Sequence, residues 1–167
     1  MEFGYWNMEL LNRIERIIAT YNENGIKIAI AESCTGGYVS HMLTNISGAS
    51  NVFERGIVCY SNQAKIDLLG VSPKTIDHYG AVSKEVVEQL ASNIRKNSEV
   101  DIGIGISGIA GPTGGTLEKP VGTVFIGFST KNETKIRKYH FKASRIEFKE
   151  LVLEKILDCL EDLVSSN

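Results

Sequence analysis

The chain has 167 residues, 43% of them hydrophobic, and a formal net charge of −2. This is enough length and apolar content for one domain with its own core, and it excludes a disordered chain. No Lys/Arg block marks a nucleic-acid partner, and no apolar run approaches the roughly 18 residues of a membrane helix.

The N-terminus carries no basic segment followed by an apolar core, so no signal peptide is read. Cys34, Cys59 and Cys159 are odd in number and lack metal-ligand spacing. A reduced, cytoplasmic protein is expected.

Residues 1–7 show little pattern and are read as an extension to a single domain spanning 8–167. Over 8–21, Leu10, Leu11, Ile14, Ile17 and Ile18 fall on one helical face, and Asn24-Gly25 ends the helix. Residues 26–30 (Ile-Lys-Ile-Ala-Ile) predict a buried strand. A polar, glycine-rich turn over 31–37 leads into a helix with Val39, Met42, Leu43 and Ile46 inward. Residues 52–60 predict a second strand. Ser61 caps a short helix stopped by Gly70, and Ser72-Pro73 starts another that closes at Gly80. Ser83 caps a longer helix with Val86, Val87, Leu90, Ala91 and Ile94 on its apolar face. Residues 101–107 predict a third strand, whose Gly103 and Gly105 admit the close approach of another backbone or a ligand. After the glycine-rich loop 108–116, residues 121–129 and 135–141 read as a hairpin, and Ser144 caps a last helix over about 145–164. The pattern predicts one α/β domain with a mixed, five-stranded sheet between helices.

Polar groups cluster after each of the first three strands: Ser33, Cys34 and Thr35; Tyr60, Ser61, Asn62 and Lys65; and Ser107 with the glycine loop. If those strands are parallel neighbours, the clusters share one sheet edge, where open α/β sheets bind ligands. The 31–37 turn also presents a helix N-terminus, with free N–H groups and positive partial charge. Taken singly, each residue has a plainer reading: Ser33 as a cap, Lys65 as a solvated helix residue, Tyr60 as a half-buried strand residue. Cys34 reads as core packing, because His41, His78 and His140 carry no pattern that pairs with it. The loop at 111–116 is not a phosphate-binding P-loop, because no Gly-Lys-Ser/Thr ends it; a flexible turn and an anion cradle both stay open. No His-x-x-x-His, paired cysteine or acidic cluster indicates a metal. Gly103-x-Gly105-x-x-Gly108 lies within and just past a strand, so a dinucleotide site is unsupported.

Six stretches together resemble one family. They are Ala31-Glu32-Ser33-Cys34-Thr35-Gly36-Gly37; Phe53-Glu54-Arg55-Gly56; Tyr60-Ser61-Asn62 with Lys65; Gly80-Ala81-Val82-Ser83; Ser107-Gly108-Ile109-Ala110-Gly111-Pro112 with Gly114-Gly115; and Lys119-Pro120-Val121-Gly122-Thr123. From about Leu10 to the end, the chain resembles the CinA carboxy-terminal domain family, the nicotinamide-nucleotide amidohydrolases. The resemblance implies a three-layer α/β/α sandwich, no metal or other cofactor, and a homo-oligomer. It implies hydrolysis of nicotinamide mononucleotide to nicotinate mononucleotide and ammonia. Longer members carry a further N-terminal domain with pyrophosphatase activity, which is not carried over.

By the same resemblance Ser33 is the nucleophile, with Lys65 and Tyr60 as activating partners. Lysine serves as a base only when neutral, and a desolvated pocket favours that form. N–H groups of Thr35, Gly36 and Gly37 are expected to stabilise the oxyanion. The substrate phosphate is expected against the loop of Ser107, Gly108, Gly111 and Gly114 or against Arg145, for which a surface role stays open. Arg55 is expected in a salt bridge with a neighbour. The alternative functions are a non-catalytic nucleotide-binding module and an amidohydrolase for another small amide.

Overall fold

The computed structural model describes residues 3–165. Helix α1 (Phe3–Glu23) begins earlier than the apolar periodicity suggests and takes in part of the stretch read as an extension; Met1 and Glu2 lie outside the described residues. The chain continues through β1 (Ile28–Glu32), α2 (Tyr38–Thr44), β2 (Phe53–Val58), α3 (Asn62–Leu69), α4 (Pro73–Tyr79) and α5 (Lys84–Ser98). It ends with β3 (Ile102–Gly108), β4 (Thr123–Ser129), β5 (Thr134–His140) and α6 (Arg145–Ser165).

The sheet order is β2-β1-β3-β4-β5. β1 runs parallel to both β2 and β3, while β4 and β5 each pair antiparallel with the preceding strand. Glu32, the last residue of β1, is in register with Val58 of β2 and Ile106 of β3. The carboxyl ends of the first three strands therefore lie at one edge of the sheet.

On one face, α1, α2 and α6 bury Ile14, Leu43, Phe148 and Leu157 against Ile28, Ile30, Ile104 and Ile126. On the other, α3, α4 and α5 bury Leu69, Ile76 and Leu90 against Ala29 and Ala31. That second face is lined by small residues so that α5 can lie directly on the strands. A Cβ at Gly105 would stand 2.6 Å from the Ala91 nitrogen and 2.8 Å from the Val87 oxygen. The close approach that Gly103 and Gly105 permit is thus to the α5 backbone.

The caps follow local chemistry. Ser61 Oγ accepts from the Ala64 N–H at 3.0 Å, and Ser83 Oγ from the Val86 N–H at 3.3 Å. At α6 the Glu147 carboxylate accepts the Ser144 N–H at 2.8 Å and Ser144 Oγ accepts the Glu147 N–H at 3.4 Å, a reciprocal capping box that fixes the start of the helix at Arg145. β1 sits two residues later than its sequence pattern suggests and ends on a fully buried glutamate. Among the described residues, no helix is long and apolar enough to cross a membrane.

Candidate active site

Ser33 is the first residue beyond β1. Its N–H donates to the Ile106 carbonyl at 3.1 Å, and its own carbonyl accepts from the Gly36 N–H at 3.1 Å, which closes a tight turn. Gly36 and Gly37 have φ of 61° and 94°, values that a side chain would disfavour. Lys65 lies in the first turn of α3 and is 1% exposed. Its amine is 3.1 Å from Ser33 Oγ and also donates to the carbonyls of Cys59 at 3.0 Å and Tyr60 at 3.3 Å. Burial pushes the amine below the ordinary lysine value, and the neighbouring thiols of Cys59 and Cys34 offset this only in part. A lysine that sequence alone would leave on a solvated helix face is thus enclosed and touching the serine.

Tyr60 meets Lys65 through its carbonyl, not its phenol. The ring is 58% exposed, and its hydroxyl accepts from Arg145 Nη2 at 2.7 Å, while Arg145 Nη1 donates to the Gly111 carbonyl at 2.9 Å. The physical reason is that the chain leaves β2 with the carbonyls of Cys59 and Tyr60 turned toward the amine, so the Tyr60 side chain projects to the mouth. Arg145, held at the first position of α6 by the capping box, ties Tyr60 to the glycine loop. Arg55 lies apart, with its guanidinium 3.8 Å from Glu54.

A cleft of about 280 Å³ opens between these groups. Ser33 and Lys65 lie deep in it, with Tyr60 and Arg145 at the mouth, and Ser107, Gly108, Gly111 and Gly114 contribute to its wall. Two cationic residues and no carboxylate line it. Ser107 is itself anchored, its hydroxyl donating to the Ala81 carbonyl at 2.8 Å.

Thr35, Gly36 and Gly37 do not line the cleft. The Thr35 side chain is buried beneath the turn, with its hydroxyl unpartnered. The Gly36 N–H is spent on Ser33, and the Gly37 N–H donates to the Glu32 carboxylate at 3.0 Å. Of the donors expected for an oxyanion, the Thr35 N–H donates to no other described residue, but Thr35 is fully buried and does not border the cleft; the Cys34 N–H, likewise without another described partner, belongs to a residue that does. Glu32 received no role from the sequence, although it stands inside the motif. The signal was an acidic residue between a β-branched run and a glycine turn.

Cys34 also borders the cleft, yet it is 6% exposed and burial pushes its thiol up to about 12. Near neutral pH it is a protonated, poorly nucleophilic group. Cys34→Ala is expected to keep any turnover at Ser33 within about 3-fold of the parent and to lower stability by about 1–2 kcal/mol, the scale of a small buried truncation. A folded but inactive Cys34→Ala protein would contradict the assignment of Ser33 as nucleophile.

The CinA C-terminal domain family profile matches residues 11–164. Over 150 residues, 90% of this chain, the sequence is 45% identical to the "Putative competence-damage inducible protein" of Caldicellulosiruptor saccharolyticus, of which the match covers 36%. The chain thus spans about a third of the length of the curated relatives it matches. The crystal structure of the competence/damage inducible protein CihA from Agrobacterium tumefaciens superposes with a TM-score of 0.85 at 35% identity, covering 94% of each chain. A CinA superfamily protein from Klebsiella pneumoniae superposes at 0.90 with 25% identity, over 95% of this chain and 99% of that one. With the serine turn, the short α3 and the glycine loop arranged on this sheet, and with the profile match running through all of them, the chain belongs to the CinA C-terminal domain family.

Proposed function

We propose that the chain hydrolyses the carboxamide of nicotinamide mononucleotide, releasing ammonia and nicotinate mononucleotide. The observation that supports this most is the enclosed Lys65 amine 3.1 Å from Ser33 Oγ, at the carboxyl edge of the sheet. The carbonyls of Cys59 at 3.0 Å, Tyr60 at 3.3 Å and Ser61 at 3.5 Å orient the amine; as the neutral base it shares its two hydrogens among them and turns its lone pair to the serine proton.

In the proposed reaction Ser33 Oγ attacks the carboxamide carbon as its proton passes to Lys65 Nζ. The carbonyl oxygen becomes an oxyanion, and the N–H of Cys34, a residue of the cleft wall, is the donor assigned to it. Collapse of the intermediate breaks the C–N bond, and Lys65 returns the proton to the departing nitrogen as ammonia. Water then attacks the acyl-serine while giving a proton to Lys65, the proton returns to Ser33 Oγ as the ester bond breaks, and the carboxylic acid product ionises to the carboxylate by losing its proton to solvent. Arg145 and the glycine-loop wall are assigned to the phosphate, in keeping with a cleft whose mouth carries the Arg145 guanidinium and whose lining has no carboxylate.

The test is ammonia release across a panel of small amides that includes nicotinamide mononucleotide, followed by a pH profile on the best substrate. Because the base acts as the neutral amine, kcat/KM is expected to rise as pH rises through the folded-state pKa of Lys65 and to be lost below it. Burial places that midpoint below the ordinary 10.5. Release from another amide but not from the mononucleotide would reassign the substrate. No release from any member, or a rate that falls across the same range, would overturn the deamidase reading.

A further inference from the structure

Glu32 is fully buried, yet among the described residues its carboxylate contacts no cation. Oε2 accepts the N–H groups of Gly37 at 3.0 Å and Val39 at 3.2 Å. Oε1 accepts the N–H of Ser40 at 2.8 Å and its hydroxyl at 2.6 Å. These donors belong to the first turn of α2 and the residue before it, a helix end that lacks an ordinary cap because Gly37 at the N-cap has no side chain. The main-chain carbonyl of Glu32 meanwhile accepts the Cys59 N–H at 2.8 Å.

We infer that Glu32 is the positioning residue of the Ser33–Lys65 pair, an assignment that rests on the function proposed above. Its carboxylate holds the far end of the turn at Gly37, while β1 holds the near end at Ser33. The residues from Ser33 to Gly36 can then present Ser33 Oγ and the Cys34 N–H to the cleft without drifting. Its carbonyl fixes the Cys59 peptide, whose own carbonyl accepts the Lys65 amine at 3.0 Å. One residue therefore sets both sides of the 3.1 Å contact. A helix cap needed only for stability is ordinarily a short, solvated Ser, Thr, Asp or Asn at the N-cap itself. A buried carboxylate is a costly substitute. The left-handed glycines that turn Ser33 into the cleft leave no room for the ordinary solution.

The experiment is Glu32→Gln. A glutamine presents an NH2 group to one pair of donors whichever way it is flipped, so the turn must shift. Misplacing a reacting group by about 1 Å costs on the order of 100-fold in rate. Turnover of nicotinamide mononucleotide per folded molecule is expected to fall by that factor with KM nearly unchanged, and the rate of Ser33 labelling by an organophosphonate is expected to fall in parallel. A cap that serves stability alone would lower the melting temperature and leave both rates per folded molecule at the parental level; that result overturns the inference. If Glu32→Gln does not fold, Ser40→Ala removes only the hydroxyl donor. It is then expected to reduce kcat several-fold without changing KM, and a parental kcat overturns the inference equally. A parent that neither releases ammonia nor labels at Ser33 overturns the proposed function and this inference with it. A reactive parent matched by an equally reactive variant overturns the inference alone.

Discussion

Ser33→Ala is expected to abolish ammonia release while the protein stays folded. The Oγ makes one hydrogen bond, to Lys65, and caps no helix, since the N-cap of α2 is Gly37. Its loss costs about 1 kcal/mol, the net worth of a typical hydrogen bond. The amine keeps its carbonyl partners, so no buried donor is stranded. The catalytic cost is of a different order. Without the oxygen there is no acyl-enzyme, and only binding and oxyanion stabilisation remain, so a loss of about 10⁴-fold or more is expected by comparison with nucleophile deletions in serine hydrolases. The measurement is steady-state ammonia release together with a thermal melt. A folded Ser33→Ala protein that retains substantial turnover would remove the serine from the mechanism.

Lys65→Arg is expected to be almost as damaging, for a different reason. The position is 1% exposed, and the amine touches Ser33 and the carbonyls at the end of β2. A guanidinium keeps the positive charge but cannot give up a proton near neutral pH, so it cannot receive the serine proton. General-base catalysis contributes about 10²–10⁴-fold, and loss of at least that much turnover is expected. The larger head group also has to be accommodated, so each measurement needs the folded fraction from circular dichroism. Lys65→Met, close in length and uncharged, should be equally inactive, which separates the missing base from a persistent charge. Binding of nicotinamide mononucleotide by calorimetry is expected to survive in the methionine variant. Near-normal turnover by either folded protein would leave Ser33 without its base.

Much of the arrangement is legible in the sequence. Periodicity and punctuation located the elements well: Ser61 and Gly70 bracket α3, Ser83 opens α5, and the hairpin falls within two residues of its expected span. These signals are local, since a cap or a left-handed glycine acts over one turn of backbone. The Ser144 cap is equally local, and the structure adds the reciprocal bond from Glu147 that holds Arg145 in place.

Features that depend on distant partners were misjudged. β1 runs on to Glu32, a carboxylate that a buried strand admits because Gly37, Val39 and Ser40 turn four donors toward it. The resemblance makes Tyr60 an activating partner of Ser33 with Lys65, whereas the phenol meets Arg145, 85 residues away. Gly36 and Gly37 looked like open donors until the turn closed on itself and on Glu32.

The sequence by itself determined the α/β character, the order of the elements and the residue types gathered at strand ends, because hydrophobic period, capping and turn chemistry are written in neighbouring residues. Tertiary structure alone decided that Lys65 is enclosed against Ser33, which N–H groups remain free, and that Arg145 closes the mouth. Burial and hydrogen-bond satisfaction belong to surfaces that meet only when the sheet and its two helical layers assemble.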